Sequence, residues 1–412
     1  MIFSRIKNQQ HSTEILPFLF SKLFERAAYY GLLSFLFIYI YRSNNTAITI
    51  EQTREYYTWF LNSMFITMLL GGILGDLIIG NKKSMLIGGV LMSLGIFLLS
   101  NHNLSYFQLG FILLGIGNGL YSPNLLAGLL KHYSNKEKLL DASIIMTFLA
   151  INLGGFIAPI IINIRQNDGD YSQGFIISGT LMLISTIISY FVKEANVPTR
   201  KTSSISSQIN ILYLSFFMLS IGIFWYFTQT FFFFINSIKI TQLNKQTNFV
   251  SDALSDFVLL TLPQLLTILF AFILAMTFTF LYIKRFSKII FGFVLTILSF
   301  IILLNLPETI GEENLSLIAI SIFLFSVAEL FIIPTLYALI SKFGYAKYYA
   351  ILFALIYLPF NLINIIFNFK IIDSSKIINR KMAYSIGAFA ILILIFIVIN
   401  WFDRRKINSQ NL

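Results

Sequence analysis

Cysteine is missing from all 412 residues, which excludes disulfides, thiolate metal sites and cysteine nucleophiles. Histidine is nearly as scarce. His11, His102 and His132 fall in predicted loops or tails, so a histidine-based metal site has no basis in the sequence. Charge is thin, with Asp, Glu, Lys and Arg at 11 %, and acids are outnumbered 18 to 29. The formal charge of +11 would suit a nucleic-acid binder, but the basic residues stand in short segments beside long apolar runs. That placement is a topology signal of membrane proteins, and no nucleic-acid partner is expected. What fills the chain is apolar: 57 % hydrophobic residues, 44 Phe, and a mean hydropathy of +0.79. A soluble chain of this length could not hide that much apolar surface. Frequent Phe, Ile, Asn and Lys are what an AT-biased coding sequence produces, so their abundance carries little functional weight.

Apolar runs of about 20 residues, the length that crosses a bilayer, predict twelve helices near 15–41, 56–79, 84–100, 105–131, 139–164, 172–193, 209–236, 257–282, 286–305, 314–341, 347–370 and 382–402. The expectation is an all-α polytopic membrane protein. Twelve spans leave both termini on one side. With the tails and even-numbered loops inside, eighteen Lys and Arg are cytoplasmic and nine are outside, the last two lying within the first span. The bias predicts cytoplasmic termini in a multi-pass inner-membrane protein, although the outer loop 370–381 is basic and runs against it. No cleavable signal peptide is expected, since the first apolar run carries Glu25 and Arg26 and lacks a small-residue cleavage site. The polar stretch 195–208 reads as a cytoplasmic linker between an N-terminal six-helix bundle, 1–194, and a C-terminal one, 209–412. Two six-helix halves around a midplane site is a common transporter plan. Asn118-x4-Pro123 in span 4 and Glu329-x4-Pro334 in span 10 form a faint echo between the halves.

The apolar pattern breaks at Lys22-Leu-Phe-Glu25-Arg26-Ala-Ala-Tyr29-Tyr30-Gly31. Each ionisable side chain there costs roughly 2.5–3.5 kcal/mol at a span centre. Positions 22, 25, 26, 29 and 30 share one helical face, which must look into protein or a water-filled cavity. An ion pair packed on another helix would satisfy the same spacing, but intramembrane charge is read first as functional. In span 10, Glu329 is the buried acid of the second half. A carboxyl that exchanges between neutral and charged forms is what proton coupling requires, and a packing carboxyl bonded to Ser or Asn is the alternative. Asn152 in span 5 offers a donor and an acceptor to a peptide-like ligand or to another helix. Trp225 and Gln229 lie one turn apart in span 7, while the run Phe231–Phe234 faces every direction and reads as packing. Asn361, Asn364 and Asn368 form a polar stripe on span 11 that the Asn-rich composition makes uninformative. Asp76, at the end of span 2, suits a gating or structural role, as do Pro123 and Pro334 inside their helices. Gly71, Gly72, Gly75, Gly115, Gly117 and Gly119 are candidates for close helix approach.

These residues resemble the proton-dependent oligopeptide transporter family, a branch of the major facilitator superfamily. The family's helix-1 pattern Glu-x-x-Glu-Arg-Phe-x-Tyr-Tyr-Gly is met by Glu25, Arg26, Tyr29, Tyr30 and Gly31. Gly71, Gly72, Asp76 and Gly80 match its helix-2 segment, and Gly117-Asn118-Gly119 with Pro123-Asn124 its helix-4 segment. Asn152 and Gly154 fit the helix-5 signature, and Glu329-Leu330 with Pro334 the helix-10 one. Four positions depart: the first Glu of the helix-1 pattern is Lys22, the helix-4 Lys is Ser122, a helix-7 acid is Thr228, and a helix-2 Tyr is Phe65. The two extra helices of many bacterial members have no room in the linker.

The resemblance implies a major-facilitator-type fold and alternating-access import of di- and tripeptides, by the proton-symport kind of secondary transport that marks the family. It places the peptide carboxylate on Arg26, with Lys22 standing in for the missing lysine, and the ammonium on Glu329. Tyr29, Tyr30, Asn152, Trp225 and Gln229 fill the space between, and Glu25 and Glu329 are the candidate proton carriers. No cofactor beyond the coupling proton is implied. Small peptides and lipid are the expected partners of a monomer. Transport of another small solute, such as an amino acid or drug-like molecule, and uncoupled peptide diffusion are the alternatives. A polytopic transferase is disfavoured by short, His-poor loops, and a non-transporting scaffold by the charges kept in both halves.

Overall fold

The computed structural model describes residues 13–43, 49–101, 104–133, 137–165, 171–194, 204–244, 262–281, 283–307, 314–366 and 375–410. His11, His102, Asn368 and the linker residues 195–203 lie outside them. The described residues form twelve helices long and apolar enough to cross a membrane. In order they are α1 Ile15–Ser43, α2 Ile50–Leu74, α3 Asn81–Leu99, α4 Leu104–Tyr133, α5 Glu137–Arg165 and α6 Ser172–Tyr190. Then follow α7 Ser204–Asn244, α8 Leu262–Phe280, α9 Arg285–Leu304 and α10 Leu315–Phe343. α11 comes in two pieces, Tyr349–Leu355 and Tyr357–Ile366, and α12 is Ser375–Gln410.

The predicted spans all reappear; α7 runs on to Asn244 rather than 236, α12 covers Ser375–Gln410 rather than 382–402, and α2 starts at Ile50 rather than 56. Glu51, Gln52, Arg54 and Glu55 hide its first turns from a hydropathy reading. A capping box sets the start: Thr49 Oγ1 accepts from the Gln52 N–H, and Gln52 Oε1 accepts from the Thr49 N–H. α7 begins at Ser204, so the last residues assigned to the linker are already helical.

Two compact units result, Met1–Ile211 with Ser341–Tyr357, and Leu212–Ile340 with Leu358–Leu412. The division differs from 1–194 and 209–412 because the first piece of α11 packs on α2 and α4. Within the first unit, α1 lies against α5 and α6, and α3 against α4 and α6. Glycines set the closest crossings. A methyl on Gly71 would strike the Gly119 carbonyl, and one on Gly119 the Thr67 carbonyl, so α2 and α4 touch backbone to backbone. Gly88 and Gly95 of α3 meet Gly117 and Gly110 of α4 in the same way, whereas Gly115, expected to pack, faces open space. Gly80, at φ +91°, makes the turn from the π-helical end of α2, Gly75–Ile79, into α3.

The second unit is held by rings. Phe224 and Phe231 of α7 stack on Phe325 of α10, with centroids 5.8 and 4.0 Å apart, and Phe293, Phe300 and Phe389 join from α9 and α12. Phe231 is buried and Phe232 exposed, so the phenylalanine run does serve packing. Ser299 and Ser321 exchange hydrogen bonds between α9 and α10.

Candidate functional site

The rotation of α1 is fixed one residue ahead of its charges. Ser185 Oγ of α6 donates to the Ser21 carbonyl at 2.7 Å and shares a 2.7 Å hydrogen bond with the Tyr121 hydroxyl of α4. On the α5 side Gly154 lets the two backbones meet, since a methyl there would lie 2.8 Å from the Ala27 nitrogen. Three helices thus grip the turn that carries Lys22, Glu25 and Arg26.

Those three side chains form one cluster. Glu25 has no exposed surface; Lys22 Nζ lies 3.1 Å from its Oε2, and Arg26 donates to it through Nε at 2.7 Å and through Nη2. Lys22 Nζ and Arg26 Nη2 both donate to Ser122 Oγ of α4, at 3.0 and 3.2 Å. Lys22 thus reaches across to position 122, where the family pattern carries a lysine and this chain a serine. Breaking a buried pair of this kind by removing one partner typically costs 3–5 kcal/mol, or about that. Glu25 is sealed in an ion cluster, while the Arg26 side chain keeps 15 % of its surface exposed.

Tyrosines surround the guanidinium. Arg26 lies 4.9 Å from the Tyr29 ring centre and 6.0 Å from that of Tyr30, and Tyr357, at the start of the second piece of α11, is in electrostatic reach. Tyr30 is exposed, and Tyr29 reaches Met64 Sδ of α2 at 3.7 Å. Asn152 spends its Nδ2 on the Phe148 carbonyl of its own helix, 2.8 Å away.

In the second unit, Glu329 is half-buried on α10, and among the described residues no hydrogen bond or ion pair reaches its carboxylate. Trp225 meets Phe360 edge to face at 6.1 Å, and Gln229 one turn on is exposed. Pro123 and Pro334 lie inside α4 and α10 as expected.

Asp76 builds a second polar centre at the Gly80 end of the first unit. Its Oδ2 accepts the Ile351 backbone N–H at 3.0 Å, in the first turn of α11, where Tyr348 supplies no side-chain cap. Helix starts leave such N–H groups unpaired, and a carboxylate also favours the positive end of the helix dipole. Oδ1 takes Asn81 Nδ2 at 3.0 Å and Lys131 Nζ at 3.3 Å. Asn124 accepts from Asn81 at 2.7 Å and donates to the Gly71 carbonyl at 3.0 Å, which ties α2, α3 and α4 together. Ser122, Asn124, Lys131 and Tyr357 were not singled out as site residues from sequence. Asn124 and Ser122 lay inside the matched helix-4 segment, while Lys131 and Tyr357 had no local signal at all.

A family model described as Major Facilitator Superfamily matches residues 18–368. The chain is 31 % identical over 182 residues to dipeptide and tripeptide permease B of Aliivibrio fischeri (strain MJ11), a stretch covering 43 % of this chain and 36 % of that relative. The chain thus spans little more than a third of that relative's length in the match. Among solved structures, a peptide transporter POT in complex with sulfate superposes with a TM-score of 0.62 at 16 % identity, covering 95 % of this chain and 94 % of the other. The transporter FucP in the outward conformation superposes at 0.67 and 13 % identity, covering 93 % and 99 %.

Proposed function

The chain belongs to the Major Facilitator Superfamily, and on that premise we propose that it imports di- and tripeptides by alternating access, driven by inward proton flow. The observation that carries the reading is the α1 cluster. Two cations share one buried carboxylate, so the site holds a surplus positive charge suited to a peptide carboxylate. Glu329, with no partner among the described residues, takes the peptide ammonium and carries the coupling proton. On the first unit Tyr29, Tyr30 and Asn152 are the candidate peptide contacts beside Arg26, and on the second Trp225 and Gln229 are those that accompany Glu329. The name of the relative from Aliivibrio fischeri supports the same substrate class. Asp76 acts as a clasp on α11 at the cytoplasmic side, with both termini on that side of the inner membrane. The protein works as a monomer whose partners are small peptides and the lipid around it, with the proton as coupling ion.

Competition tests the substrate class. In proteoliposomes, uptake of labelled dialanine is expected to be blocked by unlabelled dialanine and trialanine, and spared by free alanine and by dialanine with both termini blocked. Inhibition by alanine equal to that by dialanine would point to an amino-acid carrier instead.

A further inference from the structure

The pairing of Lys22 with Ser122 limits what the carboxylate beside them can do. Glu25 accepts from Lys22 Nζ and from Nε and Nη2 of Arg26. Both cations also donate to the one Ser122 hydroxyl, so they stand close to each other. A proton on Glu25 would remove the anion that separates them and replace an acceptor by a group with a donor of its own. Among the described residues no other group stands ready to neutralise the two cations. Among the described residues the other titratable side chains in electrostatic reach of Glu25 are Tyr121 of α4 and Tyr357 of α11, both phenols. Among the described residues, α2, α5 and α6 bring no charged group to it. With Glu25 ionised the cluster has one cation in excess. Among the described residues no acceptor reaches Nη1 of Arg26. One substrate carboxylate can therefore add at that open edge and neutralise the cluster, leaving Glu25 in place.

We propose that Lys22 together with Ser122 makes this face of α1 a cationic receptor for one carboxylate, in which Glu25 is a fixed counter-charge and carries no proton during transport. The proposal rests on the peptide reading above and deepens it. Carboxylate binding is then independent of proton binding at the first unit, and coupling falls to Glu329.

The test uses purified protein in proteoliposomes with two readouts: dialanine exchange at equal pH on both sides, and dialanine accumulation under an inward proton gradient. Glu25→Gln keeps the side chain's shape and is expected to lower both readouts together, by about tenfold or more. Adding Lys22→Met to Glu25→Gln returns the cluster to one excess cation and is expected to raise both about tenfold above the single variant. A Glu25→Gln protein that exchanges normally but no longer accumulates dialanine would overturn the proposal, because the neutral side chain then mimics a protonated intermediate. A double variant that exchanges without accumulating would overturn it equally, and so would one no better than the single. If Glu25→Gln fails to fold, as size-exclusion chromatography would show, the double variant decides alone. Absence of dialanine exchange by the unmodified protein is a separate result, which overturns the peptide reading and this proposal with it.

Discussion

Arg26→Ala is expected to cut dialanine uptake per folded protein by about one to two orders of magnitude, as the substrate carboxylate loses charge-assisted hydrogen bonds worth roughly 1.5–3 kcal/mol. The loss has two sources. Glu25 gives up two of its three donors, Nε and Nη2, and keeps Lys22 alone. What is left is a neutral Lys22–Glu25 pair with no charge for a substrate carboxylate. Arg26→Lys returns the charge without the planar fork that now spans both Glu25 oxygens, so it should recover part of the uptake and weaken substrate affinity. Uptake measured per correctly folded protein, with size-exclusion profiles as the folding control, separates the two. Equal uptake by Arg26→Ala and the unmodified protein would remove α1 from the binding site.

Glu329→Gln is expected to reduce proton-driven accumulation of dialanine to simple equilibration. The substitution keeps the side chain's shape on α10, and no hydrogen bond or ion pair is broken among the described residues. Folding should therefore survive. A Gln carbonyl still accepts from the peptide ammonium, but it no longer supplies the opposite charge that makes an ion-paired hydrogen bond shorter and stronger. Exchange should persist with a KM raised about tenfold or more. Accumulation that survives Glu329→Gln would assign the coupling proton to another group.

How far the sequence reveals this site depends on what each feature is made of. Hydropathy finds the twelve spans because bilayer thickness sets their length, and it misses the start of α2 because that start is a polar capping box around Thr49 and Gln52. The helical spacing of Lys22, Glu25 and Arg26 shows a shared face, but local spacing is silent on depth. That Glu25 is sealed and Arg26 reaches outward follows from α4, α5 and α6 closing around the turn. The contact between Lys22 and Ser122 joins two positions that stand out in the sequence only as departures from one family pattern. Asp76 shows the limit most clearly. Its partner is a backbone N–H at Ile351, 275 residues away, and a main-chain donor leaves no signature in side-chain chemistry. Gly115 misled for a related reason: a glycine marks room for a neighbour, and here α4 turns Gly110 and Gly117 toward α3 instead.

The central claim is that this chain moves peptides with protons. Its most direct test is labelled dialanine uptake into proteoliposomes holding the purified protein, with and without an imposed inward proton gradient. The account predicts accumulation above the external concentration under the gradient, collapsed by a protonophore. Uptake that reaches the same equilibrium level with the gradient as without it would contradict the account.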